Sequence, residues 1–470
     1  MFYRIVRKEI LENLLSLRFT LSLLLTISLF AAAAFMFVDD HREQLNDYSR
    51  RTNANVADFR EQAGQLNKVV FYEQHVYSQP KLLALCAEGF EQSLPRHFVF
   101  TGFAIDLPRL AGQSNFALPR FACLDWSFII SLIFSFIAFV FAYDSICGER
   151  ERGTLRLILT GSIPRATILL GKYAGLMLTL GIPLLLGLLV SLIIVSVSQV
   201  DAISAGAWVK VLSLVAVSFI YLSIFVLLGL FVSARASRPA NCMAALLFIW
   251  VTLVILIPSL GRIAADRLGH GAPPTDLARA MNEAAGRVDS DTDKYGEGAG
   301  NRSPNPKDCN PPARARYCNA RVEAVNEVVE SYHNRMLAQA FAGRALTRIS
   351  PAVVYHTASE ALAGTGMQRC ISLYRQVRQY QVQLRDYVVG EDRGDPDSLH
   401  LLFDEDNLVE EWNAVSKKPV NFDAVPKFEE RDFTLAESLR LAVWDLGLLV
   451  LFNLVFFAAA FASFLTYDVR

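Results

Sequence analysis

Apolar residues in this chain fall into long unbroken runs rather than short alternating ones. The runs lie at 19–38, at 125–143, at three places within 173–260 (Leu176–Val197, Val209–Val232 and Ala240–Leu260) and at 439–465. A bilayer core is crossed by about 20 apolar residues in a helix, so six membrane spans are expected. Ahead of the first span, FYRIVRKEILENLLSLR sets Ile5, Val6, Ile10, Leu14 and Leu17 at helical spacing with Arg4, Arg7 and Lys8 on the other side. That pattern predicts an amphipathic interfacial helix over 1–18.

Two polar stretches interrupt the spans. In 39–124, DDHREQLNDYSRRTNANVADFREQAGQLNK reads as a helical stalk, and VVFYEQHVY, KLLALC and HFVFTGF are short β-type runs separated by Gln79-Pro80 and Leu94-Pro95. This insertion is expected to be a small α+β domain. In 261–438, Val322, Val325, Val329, Tyr332 and Met336 repeat at three and four, as do Leu373, Val377, Tyr380, Leu384 and Tyr387. Two helices packed as an antiparallel hairpin are expected there. Between them Ser350 can cap a helix, with Pro351 at its first position and Gly364 at its end. The expected fold is an all-α polytopic membrane protein with six spans, a tail at 466–470, and two large extracytoplasmic insertions, the first α+β and the second mainly helical.

Composition agrees: 53% of the 470 residues are hydrophobic, and 45 basic against 46 acidic residues leave no net field to attract nucleic acid. The first span is too long for a signal-peptide core, and VDDHREQ after it lacks a small-residue cleavage pattern, so it is expected to stay as an anchor. Charge placement sets orientation. The loop from Ser198 to Trp208 has no Lys or Arg, whereas Arg235 and Arg238 follow the fourth span and Arg150, Arg152, Arg156, Arg165 and Lys172 follow the second. The positive-inside rule puts the latter side, and both termini, in the cytoplasm.

The segment 144–172, DSICGERERGTLRLILTGSIPRATILLGK, stands out. Glu149, Arg150, Glu151 and Arg152 are too costly for lipid and must lie at a membrane face. After Gly153 and Thr154, Leu155, Leu157, Ile158 and Leu159 suggest a short helix stopped by Gly161, with Pro164 opening the next. This elbow is expected to dock a partner protein.

Catalytic patterns are lacking. LLGKY has neither the upstream glycine nor the hydroxyl residue of a phosphate-binding loop, and neither H-E-x-x-H nor G-x-S-x-G occurs. The chain is therefore not expected to be an enzyme or to bind metal or nucleotide itself. Its seven histidines (41, 75, 97, 270, 333, 356 and 400) are scattered and all expected outside the membrane. Cys309 and Cys318, nine apart across a Pro-rich turn, are a candidate disulfide; Cys86 with Cys123 is a weaker one. Gly171 and Gly175 form a small-xxx-small pair suited to close helix packing. Asp445, near the outer end of the last span, needs a partner or access to the interface.

The elbow YDSICGERERGTLRLILTGSIPRATILLGK resembles the segment after the second span in membrane subunits of type-2 ABC exporters. RISPAVVYHTASEALAGTG and the ending FLTYDVR resemble a subgroup described as multicopper-enzyme-maturation-type ABC permeases. The resemblance covers the whole chain in layout. It implies a permease of the bacterial inner membrane, dimeric with a second copy or paralogue, whose elbow sits on a separate ATP-binding subunit that holds ATP and Mg. The family motif falls on Glu149, Arg150, Glu151, Gly153 and Thr154. Export is the leading expectation, with lipid around the spans and a periplasmic protein as a further partner. The alternative is a non-conducting machine in which the same ATPase drives motion of the external domains.

Overall fold

The interfacial helix and the first span are separate because the chain turns at Leu15 and Ser16. Helix α1 is Phe2–Leu14, and the Ser16 hydroxyl then accepts from the amide of Phe19 to cap α2, Leu17–Gln62. The computed structural model describes residues 2–88, 96–106, 124–155, 164–198, 205–260 and 274–466. Within them the expected first span and its polar stalk are one helix. With no Gly or Pro between Leu17 and Gln62, nothing interrupts it, and at 1.5 Å per residue it is about 70 Å long.

The other spans are α4 (Trp126–Glu151), α5 (Arg165–Ser198), α6 (Ala205–Arg235), α7 (Pro239–Leu260) and α13 (Leu435–Leu465). The elements between are α3 (Leu66–Val69), β1 (Gln74–Tyr77), β2 (His97–Phe100), α8 (Pro274–Asp289), α9 (Pro311–Thr347), α10 (Pro351–Ala363), α11 (Gly366–Asp392) and α12 (Asp406–Glu411). All six expected spans are present. Strands β1 and β2 pair antiparallel, Gln74 opposite Phe100 and Tyr77 opposite His97. KLLALC is not a strand: Leu82–Leu85 forms a 3-10 turn.

Glycines set how closely the spans pack. A Cβ on Gly187 would stand 2.6 Å from Phe30 of α2, and one on Gly229 2.5 Å from Ala142 of α4. Between apolar helices in lipid, close backbone approach supplies the attraction that water supplies elsewhere.

The two insertions do not fold apart. Val69, Val76, Phe98 and Phe100 of the first share one core with Tyr380, Leu384, Phe403 and Trp412 of the second. They form one distal module, at the end of the bundle away from α1. The expected hairpin of α9 with α11 is also corrected. The main neighbour of α9 is α8, and α11 meets it through single contacts, His333 stacked on Tyr374 at 4.2 Å and Arg378 on Glu330 at 3.4 Å. Helix α8 was not read from the sequence.

Helix α10 starts and stops as expected. Ser350 accepts from the amide of Val353, Pro351 is first, and Gly364 adopts a left-handed conformation with φ 75°. Its location differs. Ala352, Val354, Tyr355, Ala358 and Leu362 are buried in the same core as the spans, so α10 re-enters the bundle. Small residues on α10 let it fit. Tyr355 stacks on Tyr221 of α6 at 4.4 Å and shares a hydrogen bond with Ser218 at 2.8 Å. His356 consequently packs half-buried against the bundle, 2.8 Å from the Ser131 hydroxyl of α4.

Two π-helical stretches, Ile129–Phe134 and Val251–Leu256, face this insertion. Such bulges free carbonyls for other donors, and the Ser350 hydroxyl indeed donates to Leu253 O at 2.5 Å. Asp445 finds its partner beside α10: Arg348 lies 3.1 Å away.

Cys309 and Cys318 are free thiols, so the expected bridge is not formed. The Cys309 thiol points at the carbonyls of Asn305 and Pro306, whereas Cys318, two turns into α9, lies 3.6 Å from Glu405. Burial pushes the Cys318 thiol up to about 12. Cys86 is free as well, and Cys123 falls outside the described residues.

Candidate coupling site

The elbow begins with one turn of helix, Cys147–Glu151, which ends where Gly153 turns left-handed at φ 74°. A residue with a Cβ is strained there. The turn is fixed to the bundle by Ser233 of α6, whose hydroxyl accepts from the amides of Ile146 and Cys147, each at 3.1 Å, and donates to Tyr143 O at 2.9 Å. Arg150, Glu151, Arg152, Gly153 and Thr154 are exposed, while Glu149 is 6% exposed and faces inward. Leu157, Ile158, Leu159 and Gly161, where a short helix was expected, lie outside the described residues. Pro164 immediately precedes α5, and its carbonyl accepts from Thr167 at 2.9 Å.

Glu149 joins a four-charge knot in which Glu9, Glu149 and Lys172 are buried and Lys8 closes the solvent edge. Lys172, 1% exposed, donates to Glu9 at 2.6 Å and to Ser145 O at 2.8 Å, and lies 2.9 Å from the second carboxylate oxygen of Glu149. Lys8 donates to the first at 3.0 Å. Two acids and two bases cancel, which is what a low-dielectric interface requires. Burial pushes the Glu9 carboxyl above its ordinary range, with Lys172 pulling it back. Burial works against the Lys8 ammonium, but Glu149 outweighs it and holds Lys8 above its usual value.

The knot needs α1 close to α5, and the small-xxx-small pair allows it. A Cβ on Gly171 would stand 2.8 Å from Ile5, and one on Gly175 2.6 Å from Glu9. A second link lies beside it. Arg18, at the start of α2, binds Asp144 at 2.9 Å and lies 4.9 Å over the Tyr143 ring.

Sequence reading found Glu149 and its exposed neighbours but missed Glu9, Arg18 and Asp144, and it gave Lys172 no role beyond its charge. A signal for Lys172 was present. It is followed by no acid or base through Val200, so a lysine at the mouth of an apolar span had to find an acid from elsewhere.

The arrangement offers no nucleophile or acid–base pair open to a substrate. Among the described residues, no group of three or more His, Cys, Asp or Glu side chains could hold a metal ion. Five exposed residues sit on a turn anchored to α1, α2, α5 and α6.

Six apolar spans with a charged elbow after the second define a multi-pass membrane protein, and the chain belongs to the ABC-2 family transporter proteins, whose model matches residues 3–469. Members of that family are membrane subunits, with ATPase activity in a separate chain. Among curated proteins it is similar to a probable ABC transporter permease protein, NosY, of Pseudomonas aeruginosa, 31% identical over 186 residues that make up 37% of this chain and 66% of the relative. The protein of the same description from Stutzerimonas stutzeri is 26% identical over 184 residues, again 37% of this chain and 66% of the relative. The chain thus spans just under two thirds of the length of the curated relatives it matches.

Proposed function

We propose that this chain is the membrane subunit of an ATP-driven exporter, moved by a separate ATP-binding subunit that presses on the exposed turn Arg150–Thr154. ATP and Mg belong to that partner. A second copy or a paralogue completes the path. The elbow and both termini lie in the cytoplasm of a bacterium, the spans in its inner membrane, and the distal module outside, where it meets a periplasmic protein.

The observation that carries this reading is the Glu149–Lys172 pair. It turns the acid of the elbow inward and leaves its neighbours outward, so a push on the turn reaches α5 and α1 through a buried ionic joint. Glu149 thereby holds the docking turn rather than docking. Replacing Glu151 and Arg152 by Ala should abolish co-purification of the ATPase subunit while leaving the melting temperature unchanged. Retained co-purification with normal ATP-coupled activity would overturn the docking assignment.

A second reading is favoured by α2. One uninterrupted helix from Arg18, beside the elbow, to Phe59, packed on Phe422 of the distal module, suits a machine that works on an external protein without conducting cargo. A Pro inserted at Asn46, which breaks the helix beyond the membrane, would separate the readings: export survives it, and mechanical transmission does not.

A further inference from the structure

Where α2 leaves the apolar stretch that ends at Val38, a cavity of about 270 Å³ opens between it, the 3-10 turn at Leu82–Leu85 and the start of α4. Its walls change character with height. At the level of the spans it is lined by Ala33, Met36 and Phe37, with Leu124 from the facing side. Met36 is 48% exposed, and Phe35 next to it 64%, so the apolar end faces the position of the lipid chains. One turn higher stands Asp40, an exposed carboxylate with no ion pair or hydrogen bond among the described residues.

Higher still the lining carries both signs, Arg51, Lys81 and Arg96 beside Asp47, Glu88 and Asp125. Lys81 is held by Asp432 at 2.6 Å, and Arg51 by Asp47 at 2.7 Å. Arg96 is held more loosely, by Glu88 at 3.4 Å. From the boundary outward the cavity therefore offers an apolar floor, a single open anion and then a cation whose present partner is weak.

We propose that this cavity holds one phospholipid with a phosphoethanolamine headgroup: its ammonium on Asp40, its phosphate on Arg96, and one acyl chain along Met36 and Phe37. A primary ammonium can donate to a carboxylate, which the quaternary ammonium of phosphatidylcholine cannot. An Arg guanidinium matches a phosphate in two-point geometry. Phosphatidylglycerol brings the phosphate without the cation and leaves Asp40 facing a like charge. The volume fits a headgroup and the first part of a chain rather than a whole lipid, as expected of a site that opens toward the bilayer. The inference is independent of the docking assignment, because the cavity lies at the other end of the spans.

The test uses the full chain in detergent, stripped of lipid, with short-chain phosphatidylethanolamine, phosphatidylcholine, phosphatidylglycerol and free phosphoethanolamine as probes. Affinity is read from thermal shift and native mass spectrometry. Phosphatidylethanolamine should bind at least tenfold more tightly than the other three, and Asp40→Asn should remove that preference. Asp40 is exposed, so the variant should melt as the parent does without lipid. Met36→Trp, which fills the floor and alters no charge, should weaken phosphatidylethanolamine tenfold or more. Equal shifts from all three lipids, or full selectivity in Asp40→Asn, would overturn the assignment. Free phosphoethanolamine binding as tightly as the lipid would replace it with a site for a soluble ligand.

Discussion

Gly175 and Glu9 meet so closely that a Cβ on the glycine would lie 2.6 Å from the Cβ of the glutamate. Real side chains do not tolerate that distance, so the interfacial helix rests on α5 only because position 175 is bare. Gly175→Val should lift α1 off α5 and expose it to protease in the purified protein. Gly64→Ala is the control: nothing lies within 4 Å of its added carbon, and the protein should melt within about 1 °C of the parent, consistent with the small effect of substitutions that touch nothing.

Lys172 balances two buried carboxylates. Lys172→Met strands Glu9 and Glu149 without their common partner, and the loss should be about 3–5 kcal/mol, the usual cost of breaking a buried charge pair from one side. Adding Glu9→Gln should recover part of it, because one stranded charge is then gone and the two sites are coupled. Thermal melts of the two variants in detergent decide the matter: a double variant no more stable than the single would count against a shared knot.

Ser350 has two tasks, capping α10 and donating to Leu253 O. Ser350→Ala should cost about 1–2 kcal/mol, at or above a typical N-cap because the half-buried Leu253 carbonyl also loses its donor. Ser350→Asp retains the cap but loses the donor when ionised, and should not restore stability. Melting temperatures of the two variants provide the comparison.

The distal module should be acid-sensitive through Glu405. Burial would raise this carboxyl, but Arg314, bound at 2.8 and 2.9 Å, and then Arg302 outweigh burial and hold it below the ordinary carboxylate range. A carboxyl depressed by folding contributes stability that is complete above its unfolded pKa and lost as pH falls through the lower folded value. Melting temperature should therefore fall between about pH 5 and pH 3, and Glu405→Gln, less stable at neutral pH, should show a shallower fall. Parallel acid limbs for parent and variant would refute the role.

The spans were legible because lipid imposes one rule on every residue in a run, and length alone then decides. The caps of α10 were legible because Ser350, Pro351 and Gly364 act on their own backbone. The location of α10 was not, since PAVVYHTASEALA suits a protein core as well as a bundle of spans and nothing local distinguishes the two. The shared core of the insertions joins Phe98 to Tyr374, ring centroids 6.2 Å apart, across a sequence separation that no pattern bridges. In the elbow the charges were found and their directions were not: Glu149 and Glu151 look alike in sequence, and only the approach of Lys8 and Lys172 turns the first inward.

The unbroken length of α2 gives the molecule a mechanical gain. A tilt of one degree about the Arg18–Asp144 contact swings the far end of a helix about 70 Å long by roughly 1 Å. A rocking too small to disturb side-chain packing near the elbow would thus become, at Phe59 and Phe422, a gap of about 1 Å, enough to forfeit a good part of the contact between the two rings.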